Sequence, residues 1–237
     1  TNVGRDPNMI RLPTNKQRIL IIGKTGTGKT CGAVWHLSHH DFSKKTWIVL
    51  NHKGDDLIDS IEGAHHLELN ERPHPKKKGL YIYHPIPQVD DYAVTELLWD
   101  IHRMGNIGVY IDEGYMIPNR DPAMQALLTQ GRSKNIPMII LSQRPTWISR
   151  FCISEADFFM VFYLADKRDR QTINGFIPVD LEMLMSAPVN SEPPLKKYHS
   201  LYYDVGRNKA VIMQPVPTDE EILSRFNLDQ SKNVRTL

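Results

Sequence analysis

Residues 18–37 read "RILIIGKTGTGKTCGAVWHL". Four apolar positions, Ile19 to Ile22, give way to glycine, lysine and threonine, and helical spacing then resumes. The break, "GKTGTGKT" at 23–30, fits the spacing G-x-x-x-x-G-K-[ST] between a strand and a helix. Gly23, Gly26 and Gly28 can take backbone angles closed to other residues, so successive N–H groups can point into one concavity. The helix that follows adds its own unpaired N–H groups and the positive end of its dipole. Gly23, Lys24, Thr25, Gly26, Thr27, Gly28, Lys29, Thr30 and Cys31 therefore form a candidate triphosphate cradle. Lys29 is placed to reach the β- and γ-phosphates of ATP and the Thr30 hydroxyl to ligate Mg²⁺, while Lys24 fills an unconstrained position of the motif.

Such a cradle needs carboxylates to complete the cation site and to orient water. "GVYIDE" at 108–113 ends an apolar strand in two of them. Asp112 is expected to hold Mg²⁺ through its water shell and Glu113 to polarise the attacking water, a pairing that favours hydrolysis. In "TQGRSKNIPMIILSQRP" (129–145) another strand ends in Ser142 and Gln143. Gln143 can hydrogen-bond both a γ-phosphate and the water that attacks it; the alternative is a surface loop residue. Arg132, at the end of a predicted helix, either complements that helix's dipole or reaches a neighbouring subunit's γ-phosphate.

Around this centre, strand-length apolar bursts recur: "TWIVLN", "GLYIYHP", "GVYIDE", "PMIILSQ" and "FFMVFYL". They are mostly continuous, as in strands covered on both faces, and alternate with helical segments such as "DDYAVTELLWDIHRM" and "PAMQALLTQGRSK". The pattern predicts an α/β fold with a mainly parallel central sheet flanked by helices. Loops are expected at 70–79 and 185–194. "YHSLYYDVGRNKAVIMQPV" reads as an antiparallel hairpin turning near Gly206, and "TDEEILSRFNL" as a helix with Thr218 and Glu221 in a capping box. The organisation expected is one domain over 1–237, with an extension at 1–17, a core at 18–185, and the hairpin and helix at 195–237.

Composition sets limits. The chain has 237 residues, with 29 Lys and Arg against 27 Asp and Glu. That balance argues against a histone-like coating of nucleic acid without excluding a local basic surface. Cys31 and Cys152 have no ligand or CxxC spacing and read as small buried hydrophobes of a reducing compartment. No apolar run approaches the roughly 20 residues of a membrane span, and the first residues lack a signal-peptide pattern, so a soluble intracellular protein is expected. "HH" occurs at 39–40 and 65–66, but no acidic or cysteine partner recurs at metal spacing.

The set "GKTGTGKT", "VYIDE", "GRSKNIPMIILSQRP" and "ADFFMVFYLADKRDRQTI" resembles the FtsK–HerA superfamily of DNA-pumping P-loop ATPases. Within it the chain is most similar to the compact genome-packaging ATPases of tailless icosahedral, membrane-containing double-stranded DNA viruses. The likeness spans residues 18–175, and "GR…IP…SQRP" is its more specific part. It implies a RecA-like fold, a homo-oligomeric ring (a hexamer), double-stranded DNA as partner, and contact with capsid-vertex or membrane packaging proteins. The implied location is the virion's packaging vertex and the host cytoplasm.

By the same resemblance Arg132 falls where an arginine acts across the subunit interface and Gln143 falls on a sensor position. Asn51 in "TWIVLNHKGDD" stands near a place often held by an acid. Cellular members carry extra barrels or anchors, for which this sequence is expected to have no room. Lys53 and Arg120, on loops that follow nucleotide-site strands, are candidate DNA contacts, and "KKK" at 76–78 reads as a solvated run. A phage assembly ATPase, or a cellular conjugation or repair motor, remain alternative readings.

Overall fold

The apolar bursts form strands buried on both faces. The computed structural model describes residues 10–187, 191–226 and 228. The expected extension at 1–17, the loop at 185–194 and the segment at 195–237 fall partly outside these. In chain order the elements are β1 (Arg18–Ile22), α1 (Lys29–Leu37), β2 (Thr46–Leu50), α2 (Asp56–Asp59), β3 (His65–His66) and β4 (Leu80–Tyr83). Then come α3 (Asp91–Met104), β5 (Ile107–Ile111), α4 (Pro122–Gln130), β6 (Met138–Ser142), α5 (Arg150–Ser154) and β7 (Phe158–Val161). The last are α6 (Lys167–Asn174), α7 (Leu181–Met185), β8 (Ser200–Asp204), β9 (Lys209–Met213) and α8 (Asp219–Leu223).

One sheet of nine strands runs in the order β3-β4-β2-β5-β6-β1-β7-β8-β9. The pairs from β3 through β7 are parallel, and β8 and β9 add antiparallel to β7. Alternate strand residues feed opposite layers. Ile19 and Ile21 pack with Ala33, Val34 and Leu37 of α1, while Leu20 and Ile22 face the layer containing Leu97, Leu98 and Ile101 of α3. This two-sided burial is why the runs are continuous rather than alternating.

Local signals set several boundaries. Asp121 Oδ1 accepts the Met124 N–H at 2.7 Å, and Pro122 starts α4. At α8, Thr218 and Glu221 form the expected capping box. The hairpin turns through Val205–Arg207, with Asn208 in the left-handed region.

The short elements α2, β3, α5 and α7 have too few residues to show a period, and α6 carries a single apolar residue, Ile173. Cys152 is buried as expected. Cys31 is a correction: it is only half-buried, and its thiol donates to Asp219 Oδ1 at 3.2 Å, because α8 packs a carboxylate beside the first turn of α1.

Candidate active site

Strand order builds the site. β6 lies between β1 and β5, so the residues leaving β6 stand between the loop after β1 and the acid pair after β5. In parallel sheets ligands gather at such carboxyl ends. The loop is tied to both neighbours of β1: the Gly23 N–H donates to Ser142 O (3.2 Å) and the Lys24 N–H to Tyr163 O (2.9 Å). A Cβ at Gly23 would sit 2.6 Å from Phe162 Cβ, so this approach needs glycine. Gly28, at φ +96°, precedes α1 and offers no side-chain cap, and no acid lies in the first helical turn. The helix thus presents its N-terminal amides and dipole without a built-in anion.

Glu113 is the hub. It is fully buried and held in the left-handed region at φ 56°, a conformation costing a non-glycine residue about 1–3 kcal/mol. Lys29 Nζ donates to its Oε1 at 2.7 Å, and Lys53 Nζ pairs with the same oxygen. Gln143 donates its main-chain N–H to Oε2 (3.1 Å) and its Nε2 to Oε1 (2.9 Å), while the Thr25 hydroxyl donates to Gln143 Oε1 at 2.6 Å. Burial opposes ionisation of Glu113, but the Lys29 charge, together with the bonds from Lys29, Lys53 and Gln143, outweighs it and holds the carboxyl below its ordinary value.

Its neighbour behaves in the opposite way. Burial pushes Asp112 up to about 6 despite Lys29, and Asp112 Oδ2 is buried without a hydrogen-bond partner. An orphaned carboxylate oxygen of this kind fits a cation as its missing partner. His52 Nδ1 lies 2.8 Å from the Asp112 carbonyl and helps hold this strand end.

A buried lysine, a strained glutamate and a glutamine thus meet beside a glycine-rich helix start. No family model matches the chain. It is 72% identical over 223 residues to DNA packaging ATPase P9 of Enterobacteria phage PRD1, covering 94% of this chain and 97% of that one. The chain belongs to the phage DNA packaging ATPases. Among solved structures, the genome packaging NTPase B204 of Sulfolobus turreted icosahedral virus 2, in complex with sulfate, superposes with a TM-score of 0.64 at 17% identity. That match covers 86% of this chain and 99% of that one. EssC (ATPases 2 and 3) from Geobacillus thermodenitrificans gives 0.58 at 12% identity, covering 89% and 43%. At these identities the two structures speak for the fold alone, a P-loop α/β sheet.

In the packaging ATPase, Lys29, Glu113, Gln143 and Thr25 form one connected set, with Asp112 beside them. Thr30 lies in the first turn of α1, partly exposed, as does Cys31, whose side chain faces α8. Lys24, Thr25 and Gly26 are exposed on the loop; Thr27 folds back, its hydroxyl donating to Lys24 O at 2.7 Å.

Arg132 lies elsewhere: it is 58% exposed and pairs with Asp157 at 2.7 Å. α4 stops at Gln130, and the observed partner is this carboxylate before β7. Arg120 is exposed on the turn before α4. Lys53 has a partner its sequence reading did not include, because the loop after β2 carries it back onto Glu113. Asn51 is buried, bonding Asp59 Oδ1 and the Asp55 N–H. Sequence reasoning missed Thr25 and Lys53 as partners of the hub; neither has a local signal for it. No helix among the described residues is long and apolar enough to cross a membrane.

Proposed function

We propose that this packaging ATPase acts as a homo-oligomeric ring, a hexamer, that drives double-stranded DNA into a preformed capsid by hydrolysing ATP at subunit interfaces. The reading is supported above all by the Lys29–Glu113–Gln143 constellation at the end of three adjacent strands. Thr30 and Asp112 are the residues that would hold Mg²⁺, which supplies charge neutralisation on the β- and γ-phosphate oxygens.

The chain's own groups then do the following. Triphosphate oxygens offer Lys29 more negative charge than one carboxylate does, so Lys29 turns to them and Glu113 Oε1 loses a donor. That oxygen then accepts a hydrogen bond from water and aims it at the γ-phosphorus. Gln143 spans Glu113 and the γ-phosphate. Loss of that phosphate moves Gln143, and Arg144 moves with it; Arg144 stacks on Trp147 at 4.8 Å and pairs with Asp166 at 2.9 Å. Nucleotide state thereby reaches an exposed turn at the subunit surface.

Arg132 leaves Asp157 to reach the γ-phosphate of the next subunit. Arg120 touches the DNA backbone, a contact blind to sequence and weakened by salt, and Lys53 is shared between Glu113 and DNA. The ring works at the packaging vertex, against capsid or membrane packaging proteins, after synthesis in the host cytoplasm.

The test is ATPase rate per subunit against protein concentration, with and without duplex DNA of arbitrary sequence, for wild type, Arg132→Ala and mixtures. The rate should rise with assembly and with DNA, and Arg132→Ala should be inactive alone and poison mixtures. Undiminished turnover of Arg132→Ala removes the trans role, and indifference to duplex DNA removes the motor.

A further inference from the structure

At the β3–β4 end of the sheet, remote from the P-loop strand, three side chains from three elements converge. Asp59 ends α2, His66 ends β3 and His84 follows β4, and one ligand atom from each lies within 4.8 Å of the others. His84 Nε2 is 2.8 Å from Asp59 Oδ1, and the His66 and His84 rings stack at 5.4 Å and 5°. The pair at 65–66 carries no acid at metal spacing in the sequence, and the tertiary fold supplies one. Behind the carboxylate, the buried amide of Asn51 donates to the same Asp59 Oδ1 at 3.0 Å. A ligand oriented by a buried partner is the arrangement that outer-shell residues give metal sites.

We propose that Asp59, His66 and His84 bind one divalent cation of the Zn²⁺ class. Two imidazoles and one carboxylate suit zinc and exclude a preference for Mg²⁺, which takes oxygen ligands. Three protein ligands leave a fourth tetrahedral position for water. Ligand distances of about 2.0–2.1 Å put tetrahedral donors about 3.3 Å apart, so the Asp59–His84 pair, now at 2.8 Å, must open slightly and His66 must close in. All three side chains have room to turn, since Asp59 and His84 are 34% and 41% exposed and His66 stands on an exposed edge strand.

The cation adds a tie between three short parts of the fold. β3 is a two-residue edge strand, paired to β4 at His65–Tyr81 and His66–Ile82, and the Leu67 N–H just beyond it donates to Ile82 O at 3.0 Å. Bound at His66, His84 and Asp59, the ion ties that edge to the end of β4 and to α2. Through Asn51 it also steadies the start of the loop that carries Lys53 to Glu113.

The experiment is calorimetric titration of ZnCl₂ into the full chain, stripped with chelator and kept in excess Mg²⁺. Wild type should take up one equivalent that His84→Ala and Asp59→Asn each weaken at least tenfold. Zn²⁺ should raise the thermal midpoint of wild type and not of the variants. Should His84→Ala fail to fold, His66→Gln, on the exposed edge, replaces it with the same expectation. Substoichiometric uptake by wild type, or equal affinity in the variants, overturns the site. Both readouts measure the metal site itself and neither requires ATP turnover, so the outcome is read separately from the ATPase proposal.

Discussion

Gln143 grips both oxygens of Glu113, one through its main-chain N–H at 3.1 Å and the other through its Nε2 at 2.9 Å. The first contact depends on where β6 ends and the second on the side chain alone. Gln143→Ala therefore keeps Glu113 in place while removing the arm that would follow the γ-phosphate. Expected is a loss of about 10²-fold in kcat with KM for ATP changed little, the pattern of an interaction made in the transition state. Steady-state phosphate release at varied ATP measures it. A rise in KM alone would show that Gln143 only binds nucleotide.

Glu113→Gln keeps the shape of the hub and removes its charge. Lys29 loses its anionic partner and becomes freer to meet phosphate, so ATP should bind at least as well. Hydrolysis should fall by about 10²–10⁴, the range lost with a positioned base. Nucleotide binding by equilibrium dialysis, beside single-turnover rates, separates the two effects.

Lys53 shares Glu113 Oε1 with Lys29 but is a third exposed. A pair of that exposure is worth up to about 1 kcal/mol, or about fivefold in rate if it is broken before hydrolysis. Lys53→Met should accordingly raise the DNA-free ATPase rate by up to about fivefold. An unchanged DNA-free rate, with a shallower salt dependence of DNA binding, would make Lys53 a DNA contact only.

His36 contributes a pH dependence to stability, in the same direction as His40, which burial pushes down to about 4. Burial pushes His36 down to about 3; its ring stacks on Tyr202 at 5.8 Å and its Nε2 has no partner. With the folded value below the unfolded one of about 6.5, the unfolded chain binds the proton first, and stability falls as the solution is acidified. The loss begins near 6.5, continues down to about 3, and amounts to about 1.4 kcal/mol per pH unit. His36→Leu should reduce the slope of the urea midpoint against pH across that window, leaving the share that belongs to His40. An unchanged profile would assign the acid sensitivity to other groups.

Gly108 lies beneath Trp47. A Cβ there would fall 2.2 Å from the buried indole across the β2–β5 pair. Gly108→Ala should destabilise the protein by about 1–3 kcal/mol, the range for overpacked cores, and Trp47→Phe in the same chain should recover part of it. Urea unfolding of the single and double variants completes the cycle.

The site was unevenly legible. Its cradle is written in consecutive residues, because a loop that must wrap a phosphate needs its glycines at fixed steps along one stretch of chain. The acid pair is equally local, a hydrophobic strand ending in Asp112 and Glu113. Gln143 was legible as a strand-end polar residue, but its grip on Glu113 follows from β6 entering between β1 and β5. Lys53 and Thr25 gave no sign of their partners, and α2 and β3 were too short to show a period.

The amino-acid order by itself therefore determined the α/β alternation, the two-sided burial of the strands, the glycine-rich loop after β1 and the acid pair after β5. Each of these depends on residues within one or two turns or one strand of each other. The tertiary structure alone decided that Lys53 shares the charge of Glu113, that Arg132 rests on Asp157, and that Asp59 meets two histidines. Those contacts join residues 60, 25 and 25 positions apart in the pairs Lys53–Glu113, Arg132–Asp157 and Asp59–His84. Strand order, which no local pattern encodes, is what carries such distant charges into reach.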